Sequence, residues 1–207
     1  MKITEDFAYF LGIIAGDGYV GDRTIEVKTS DYKFLRDVYV PLIERLFNKT
    51  PSLIPESSGI KAFRAYFGSK ELCKILEMMR LKSPKTFTVS MPDEIIGKIK
   101  LEIAFTRGVF DTDGSVHSRK NRNYPTINLD SRSTNLIHSL EAVVNSLGMK
   151  GRVTKSMNNG KPLYYLRLYG FGQLARFSST IGFLNPYKAK KAIGFLKNHH
   201  RARGLAE

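Results

Sequence analysis

Apolar residues recur along this 207-residue chain in two rhythms, one of helix type and one of strand type. The first helix-like run, Phe7 to Gly18, contains Gly12 and Gly16 and ends in Asp17-Gly18. It has an echo in Ile103 to Gly114, which contains Gly108 and ends in Asp113-Gly114, about half a chain later. The residues after each copy match as well. After Asp17-Gly18 a turn at Gly21-Asp22-Arg23 leads to the strand-like Thr24–Thr29. After Asp113-Gly114 comes Ser115–Ser118, then a longer basic turn at Arg119–Asn123, then Thr126–Asp130.

Each hairpin leads into an amphipathic helix, about 31–47 and about 133–147, with Asp31 and Ser133 as N-caps and Gly148 as the terminating glycine. Second hairpins follow: 52–56 with 61–67 around Ser57-Ser58-Gly59, and 151–156 with 163–169 around Asn158-Asn159-Gly160. Further helices are predicted near 69–79, 171–181 and 187–200. The chain therefore divides into residues 1–97 (with a linker at about 81–97) and 98–207. The expected fold is α+β, built from two pseudo-symmetric αββαββα repeats. Each carries a curved antiparallel four-stranded sheet, and the two pack through their motif helices.

The ends of those helices carry the candidate chemistry. Gly12 and Gly16 share a helix face, as do Gly108 and Thr112. Glycine costs about 1 kcal/mol in a helix interior, so two on one face point to a close backbone partner. If the two motif helices pack along these faces, Asp17 and Asp113 come side by side. Carboxylates at helix C-termini oppose the macrodipole and repel each other. A divalent cation relieves both, and oxygen donors suit Mg²⁺, with Mn²⁺ as an expected substitute. Such a metal supports hydrolysis of a phosphodiester. A plain helix-ending turn explains one Asp-Gly, but not the matched pair.

These two segments, Phe10–Gly18 and Thr106–Gly114, resemble the LAGLIDADG motifs of homing endonucleases, and the repeated element order extends the likeness over the whole chain. The chain is similar to the monomeric, two-motif, archaeal intron-encoded type. The resemblance implies that Asp17 and Asp113 bind the metal, assisted by the carbonyls of Gly16 and Thr112. It implies a double-strand break with short 3′ overhangs in a long duplex site. Basic residues near the scissile phosphates match Lys85 and Lys188 here. At the ends of the second strands, where the family often has Gln-Lys, this chain has Ser30 and Arg132, with Lys28 as a substitute for the missing lysine. Arg107 and Thr106 also depart from the usual small or apolar motif residues.

Charge supports a polyanionic partner. There are 33 Lys and Arg against 19 Asp and Glu, a net +14. The excess is lopsided: residues 1–97 hold 14 basic against 13 acidic residues, and 98–207 hold 19 against 6. The second half is therefore expected to carry most of the salt-dependent grip. Expected DNA contacts on the hairpins are Arg23, Lys28, Lys61, Arg64, His117, Arg119, Arg122, Lys155, Lys161 and Arg167, with Ser30 and Arg132 at strand ends. His117 reads as a strand-face contact rather than a general base. Cys73 is the single cysteine, which excludes an internal disulfide and a cysteine metal cluster. The longest apolar run, Phe7 to Gly16, is too short for a bilayer, and the acids at Glu5 and Asp6 do not suit a signal peptide. The expectation is a monomer in an archaeal or bacterial cytoplasm, with an organelle left open, acting on double-stranded DNA and not on membranes. The alternatives are an RNA-splicing maturase, whose partner would be intron RNA, and a DNA-binding protein of this fold that does not cut.

Overall fold

The computed structural model describes residues 3–56, 61–118 and 124–204, the last five by backbone alone. The sequence turns at Ser57–Ser58–Gly59 and Arg119–Asn123, and with the latter Arg119 and Arg122, lie outside the described residues. The first half runs α1 (Glu5–Ala15), β1 (Gly18–Val20), β2 (Thr24–Thr29), α2 (Tyr32–Phe34), a π-turn at Leu35–Tyr39, α3 (Val40–Phe47), β3 (Ser52–Pro55), β4 (Phe63–Gly68) and α4 (Lys70–Met78). The second runs α5 (Ile99–Thr112), β5 (Gly114–Ser118), β6 (Pro125–Ser131), α6 (Thr134–Ser146), β7 (Arg152–Asn158), β8 (Lys161–Tyr169), α7 (Phe171–Thr180) and α8 (Pro186–Gly204). Residues 80–98 join the halves without helix or strand.

Two antiparallel four-stranded sheets result, in the orders β1-β2-β4-β3 and β5-β6-β8-β7. The repeated order is the architecture expected from the two hydrophobic rhythms. In the first sheet Ile25, Val27, Ala65 and Phe67 are buried, while the alternate residues Glu26, Lys28, Arg64 and Tyr66 form a polar face. The second sheet buries Ile127, Leu129, Leu166 and Leu168 on its own helix side. There α6 and α7 lie against β6 and β8, and in the first half α4 lies against β2.

The motif helices occupy the centre. Every residue from Phe7 to Ala15 is buried, as befits a helix surrounded by protein on all sides. Thr4 caps α1, its hydroxyl accepting from the Phe7 N–H at 3.2 Å. The closest approach of α1 to α5 is at glycine. A β-carbon on Gly12 would fall 2.1 Å from the Phe105 carbonyl oxygen, and one on Gly108 would fall 2.3 Å from that of Tyr9. The crossing is thus symmetric, each glycine seating the backbone of the opposite helix. Thr106, whose side chain departs from the motif, is fully buried beside this crossing without displacing it.

Three local expectations change. The helix foreseen at 31–47 is interrupted, because Pro41 has no N–H to continue the ladder; the turn before it widens, with Val40 donating to the Leu35 carbonyl. Lys61 sits at a bend before β4 rather than on the strand. The second hairpin closes with a tighter turn than foreseen, Asn159-Gly160 alone, both at positive φ (51° and 70°), between the paired Asn158 and Lys161.

Candidate functional site

Asp17 lies just past the end of α1 and Asp113 caps α5. The crossing at the glycines brings these ends together as expected: a β-carbon on Gly16 would meet the Thr112 hydroxyl at 2.1 Å and an Asp113 carboxylate oxygen at 3.3 Å. Both aspartates line a cavity of about 700 Å³, with Gly16, Tyr19, Ser83, Lys85, Asp130 and Arg132 among its other walls. Both residues are exposed to this cavity, yet desolvation by the surrounding protein is the largest influence on each carboxyl.

The two carboxyl groups are hydrogen-bonded to each other. Restricted hydration raises the Asp17 carboxyl above its ordinary value, against the opposing pull of the Asp113 bond, Lys188 and Lys85. It pushes Asp113 up to about 8, helped by the Asp17 charge and the bond to Asp17. The site therefore disfavours two negative charges side by side, and a cation between them would relieve this.

Lys85 and Lys188 flank the pair, but neither is the surface lysine that a bare sequence suggests. Lys85 is 8% exposed and donates to the carbonyl of Gly18. Lys188 spends all three ammonium hydrogens on carbonyls at the end of α5: Phe110 at 3.0 Å, Asp111 at 2.9 Å and Thr112 at 2.7 Å. It thereby supplies the positive charge that a helix C-terminus favours. Burial lowers both lysines, Lys188 to about 8, while the aspartates hold them up. The Thr112 carbonyl, expected to face a metal, thus already accepts from Lys188. The Thr112 hydroxyl turns back on the carbonyls of Gly108 and Val109.

A metal would find two carboxylates and the Gly16 carbonyl on the protein side; among the described residues no group of three or more His, Cys, Asp or Glu surrounds a common point. That donor set fits Mg²⁺, which typically takes one or two carboxylates and fills its remaining positions with water and phosphate oxygens.

The remaining predicted residues divide sharply. Arg132 reaches the cavity, with one guanidinium nitrogen on Asn158 at 3.3 Å and another, Nη1, buried without a hydrogen-bond partner. Ser30 is exposed and outside the cavity lining, so the two strand ends are indeed unequal. His117, Asn128 and Arg167 line a hollow of about 300 Å³ on the polar face of the second sheet. There Arg167 donates to Asn128 at 3.0 Å and lies over the Tyr165 ring at 4.6 Å. Lys161 lies over Phe87. Lys28 and Arg64 share the polar face of the first sheet, and Arg23 is exposed between β1 and β2. Lys155 does not join them. It pairs with Tyr164 on the same side as Val153 and Leu166, the helix side, because the register of β7 on β8 gives it the parity of the buried residues.

Two residues at the site carry no clear mark in the sequence. Asp111 is 1% exposed and accepts from the Tyr9 hydroxyl at 2.6 Å and the Leu184 N–H at 3.0 Å. Burial pushes its carboxyl up to about 6, against these hydrogen bonds. It ties α1, α5 and the segment carrying Lys188 together. An acid directly after the apolar pair Val109-Phe110, in the last turn of α5, was the available signal. Ser83 receives the Val20 N–H at 3.2 Å and lines the cavity; nothing in its sequence context marks it.

Comparison with known proteins agrees with this geometry. Residues 100–182 match the family described as LAGLIDADG-like domain. The chain is 24% identical over 194 residues to the replication factor C small subunit of Thermococcus kodakarensis, an alignment that covers 93% of the chain and 21% of the relative. The chain thus spans about a fifth of that relative's length. Among solved structures, the homing endonuclease I-DmoI in complex with DNA and Ca superposes with a TM-score of 0.65 at 16% identity, over 90% of this chain and 96% of that one. Other complexes of the same endonuclease with DNA are described with Mn or Mg. The N-terminal LAGLIDADG domain of DUF199/WhiA superposes with a TM-score of 0.62 at 16% identity, over 86% and 81%. The family match thus lies within the second half, at residues 100–182, and the chain as a whole has the two-motif LAGLIDADG fold.

Proposed function

We propose that this LAGLIDADG-fold chain is a divalent-metal-dependent endonuclease that cuts both strands of a long DNA duplex, leaving short 3′ overhangs. The two units would be residues 1–97 and 98–207, one per half-site, in a monomer. The observation that carries this is the juxtaposition of Asp17 and Asp113 at matched helix ends in one open cavity, where a cation would relieve the repulsion of two like charges.

Asp17 and Asp113 would hold the metal, Mg²⁺ by preference and Mn²⁺ as a substitute, together with the Gly16 carbonyl. The ion, when bound, supplies charge stabilisation at a scissile phosphate and an acidified water. The chain's own residues do the rest. Lys188 fixes the carbonyls at the end of α5, Lys85 fixes that of Gly18 at the start of β1, and both place positive charge beside the aspartates. Arg132 directs a cation into the cavity where a phosphate oxygen would lie. Asn128, Arg167, His117 and Lys161 present polar groups from the second sheet toward base edges and backbone. An intron as the gene's setting, and a cytoplasmic location, accord with this role.

The test is incubation with a library of randomised duplexes, with Mg²⁺ or with chelator, followed by sequencing of the new ends. Metal-dependent double-strand breaks at one recurring sequence establish the activity. Binding of duplex DNA without breaks in Mg²⁺ would replace it with a non-cutting DNA-binding role, and preference for RNA with a maturase role.

A further inference from the structure

The two sheets match position by position. Val27 lies between Gly18 and Ala65 as Leu129 lies between Gly114 and Leu166. By this register Glu26 corresponds to Asn128, Lys28 to Asp130 and Arg64 to Tyr165. Likewise Ile54 faces Arg64 as Thr154 faces Tyr165, so Glu56 corresponds to Ser156.

The contents of the matched positions differ in kind. On the first sheet the charges are paired off against one another. Lys28 donates to Glu56 at 2.9 Å, and Arg64 bridges Glu26 at 3.3 Å and Glu56 at 3.5 Å. Glu56 is the common partner, and its side chain is only 17% exposed. On the second sheet the position of Glu56 holds Ser156, bonded to the Tyr165 hydroxyl at 3.2 Å, and that of Glu26 holds Asn128. Arg167 there is held by neutral groups alone, Asn128 and the Tyr165 ring.

We propose that Glu56, seconded by Glu26, withholds Lys28 and Arg64 from DNA phosphates and so sets a specificity threshold in the first half. DNA without the right base pattern cannot replace the broken ion pairs, and only a cognate half-site engages this sheet. The second half then supplies general grip and the first half discrimination. This rests on the proposed DNA-binding role.

The test measures affinity of the full chain for a labelled random-sequence duplex between 50 and 200 mM salt without divalent metal. Each phosphate contact adds about 0.9 to the log–log salt slope. Glu56→Gln, which releases Lys28, should steepen the slope by about 0.9, an extra loss of about threefold across the range. Glu26→Gln with Glu56→Gln should steepen it by about 1.8, or about tenfold. Adding Lys28→Met to Glu56→Gln should return the slope to that of the parent. If both glutamine variants keep the parent slope, or if Lys28→Met leaves the gain intact, Glu56 is not a restraint on these cations and the proposal fails alone. If the parent binds no duplex at any salt, the DNA-binding role fails with it. The variants alter partly exposed side chains, and Glu26→Gln alone, loosening Arg64, provides a second reading should Glu56→Gln fold poorly.

Discussion

Gly12 and Gly108 face each other across the central helix pair, so that a β-carbon on either would lie 3.0 Å or 2.9 Å from the Cα of the other. Gly12→Ala would also press within 2.1 Å of the Phe105 carbonyl oxygen, which belongs to rigid backbone. We expect it to destabilise the protein by about 1–3 kcal/mol, the usual range for overpacking. Because the crossing sets the spacing of Asp17 and Asp113, cutting should fall further than stability explains. Chemical denaturation beside a cleavage assay checks this; an unchanged midpoint would contradict the close crossing.

Asp17→Asn and Asp113→Asn each remove a carboxylate while keeping its size. Each should reduce double-strand cutting by more than the roughly 10–100-fold that loss of an outer-shell partner costs. Binding to duplex DNA in Ca²⁺ should persist. Full cutting by either variant would refute the assigned roles.

The raised Asp113 carboxyl should make the metal-free protein pH-sensitive. Asp113 titrates near 8 in the folded chain against an ordinary 3.8. Between these values the folded state binds more protons than the unfolded, so stability is greatest at the acid end and falls as pH rises toward 8. Calorimetry in chelator should show Tm declining from about pH 6 to about pH 8, with the decline removed by Asp113→Asn. Added Mg²⁺ should raise Tm most at the alkaline end, where no proton competes.

Tyr9→Phe deletes the 2.6 Å bond to Asp111 and leaves a buried carboxylate whose other oxygen, Oδ1, has no partner. The expected cost is about 1–3 kcal/mol. Urea unfolding measures it, and a cost near zero would mean that Asp111 does not tie the helices together.

The halves should also differ in their response to salt. Half-site duplexes competed separately should show the steeper salt slope for the half bound by residues 98–207, where 19 basic residues meet 6 acids. Equal slopes would contradict the asymmetry.

The features legible in the sequence are those with a local period or an internal copy. The four-residue spacing of Gly12 and Gly16, repeated at Gly108 and Thr112, encodes the crossing, and the crossing delivers Asp17 beside Asp113. Residues whose surroundings come from distant segments cannot be read this way. Lys188 looks like any basic residue on a helix until its three carbonyl acceptors, more than 70 positions earlier, are in view. Lys155 turns on the starting point of β7, where one residue reverses the face. Arg64 reads as a DNA contact by type, and only the pairing of β2, β4 and β3 brings Glu26 and Glu56 against it.

Among the described residues no strand of one sheet pairs with the other, and the halves meet chiefly through α1 and α5. Each sheet is therefore carried by its own piece of chain, joined to its twin by a glycine-lined seam. Change in one sheet can proceed without disturbing the strand pairing of the other. A halved gene, fused to a foreign half with a compatible seam, is then a natural route by which such a protein acquires a new target.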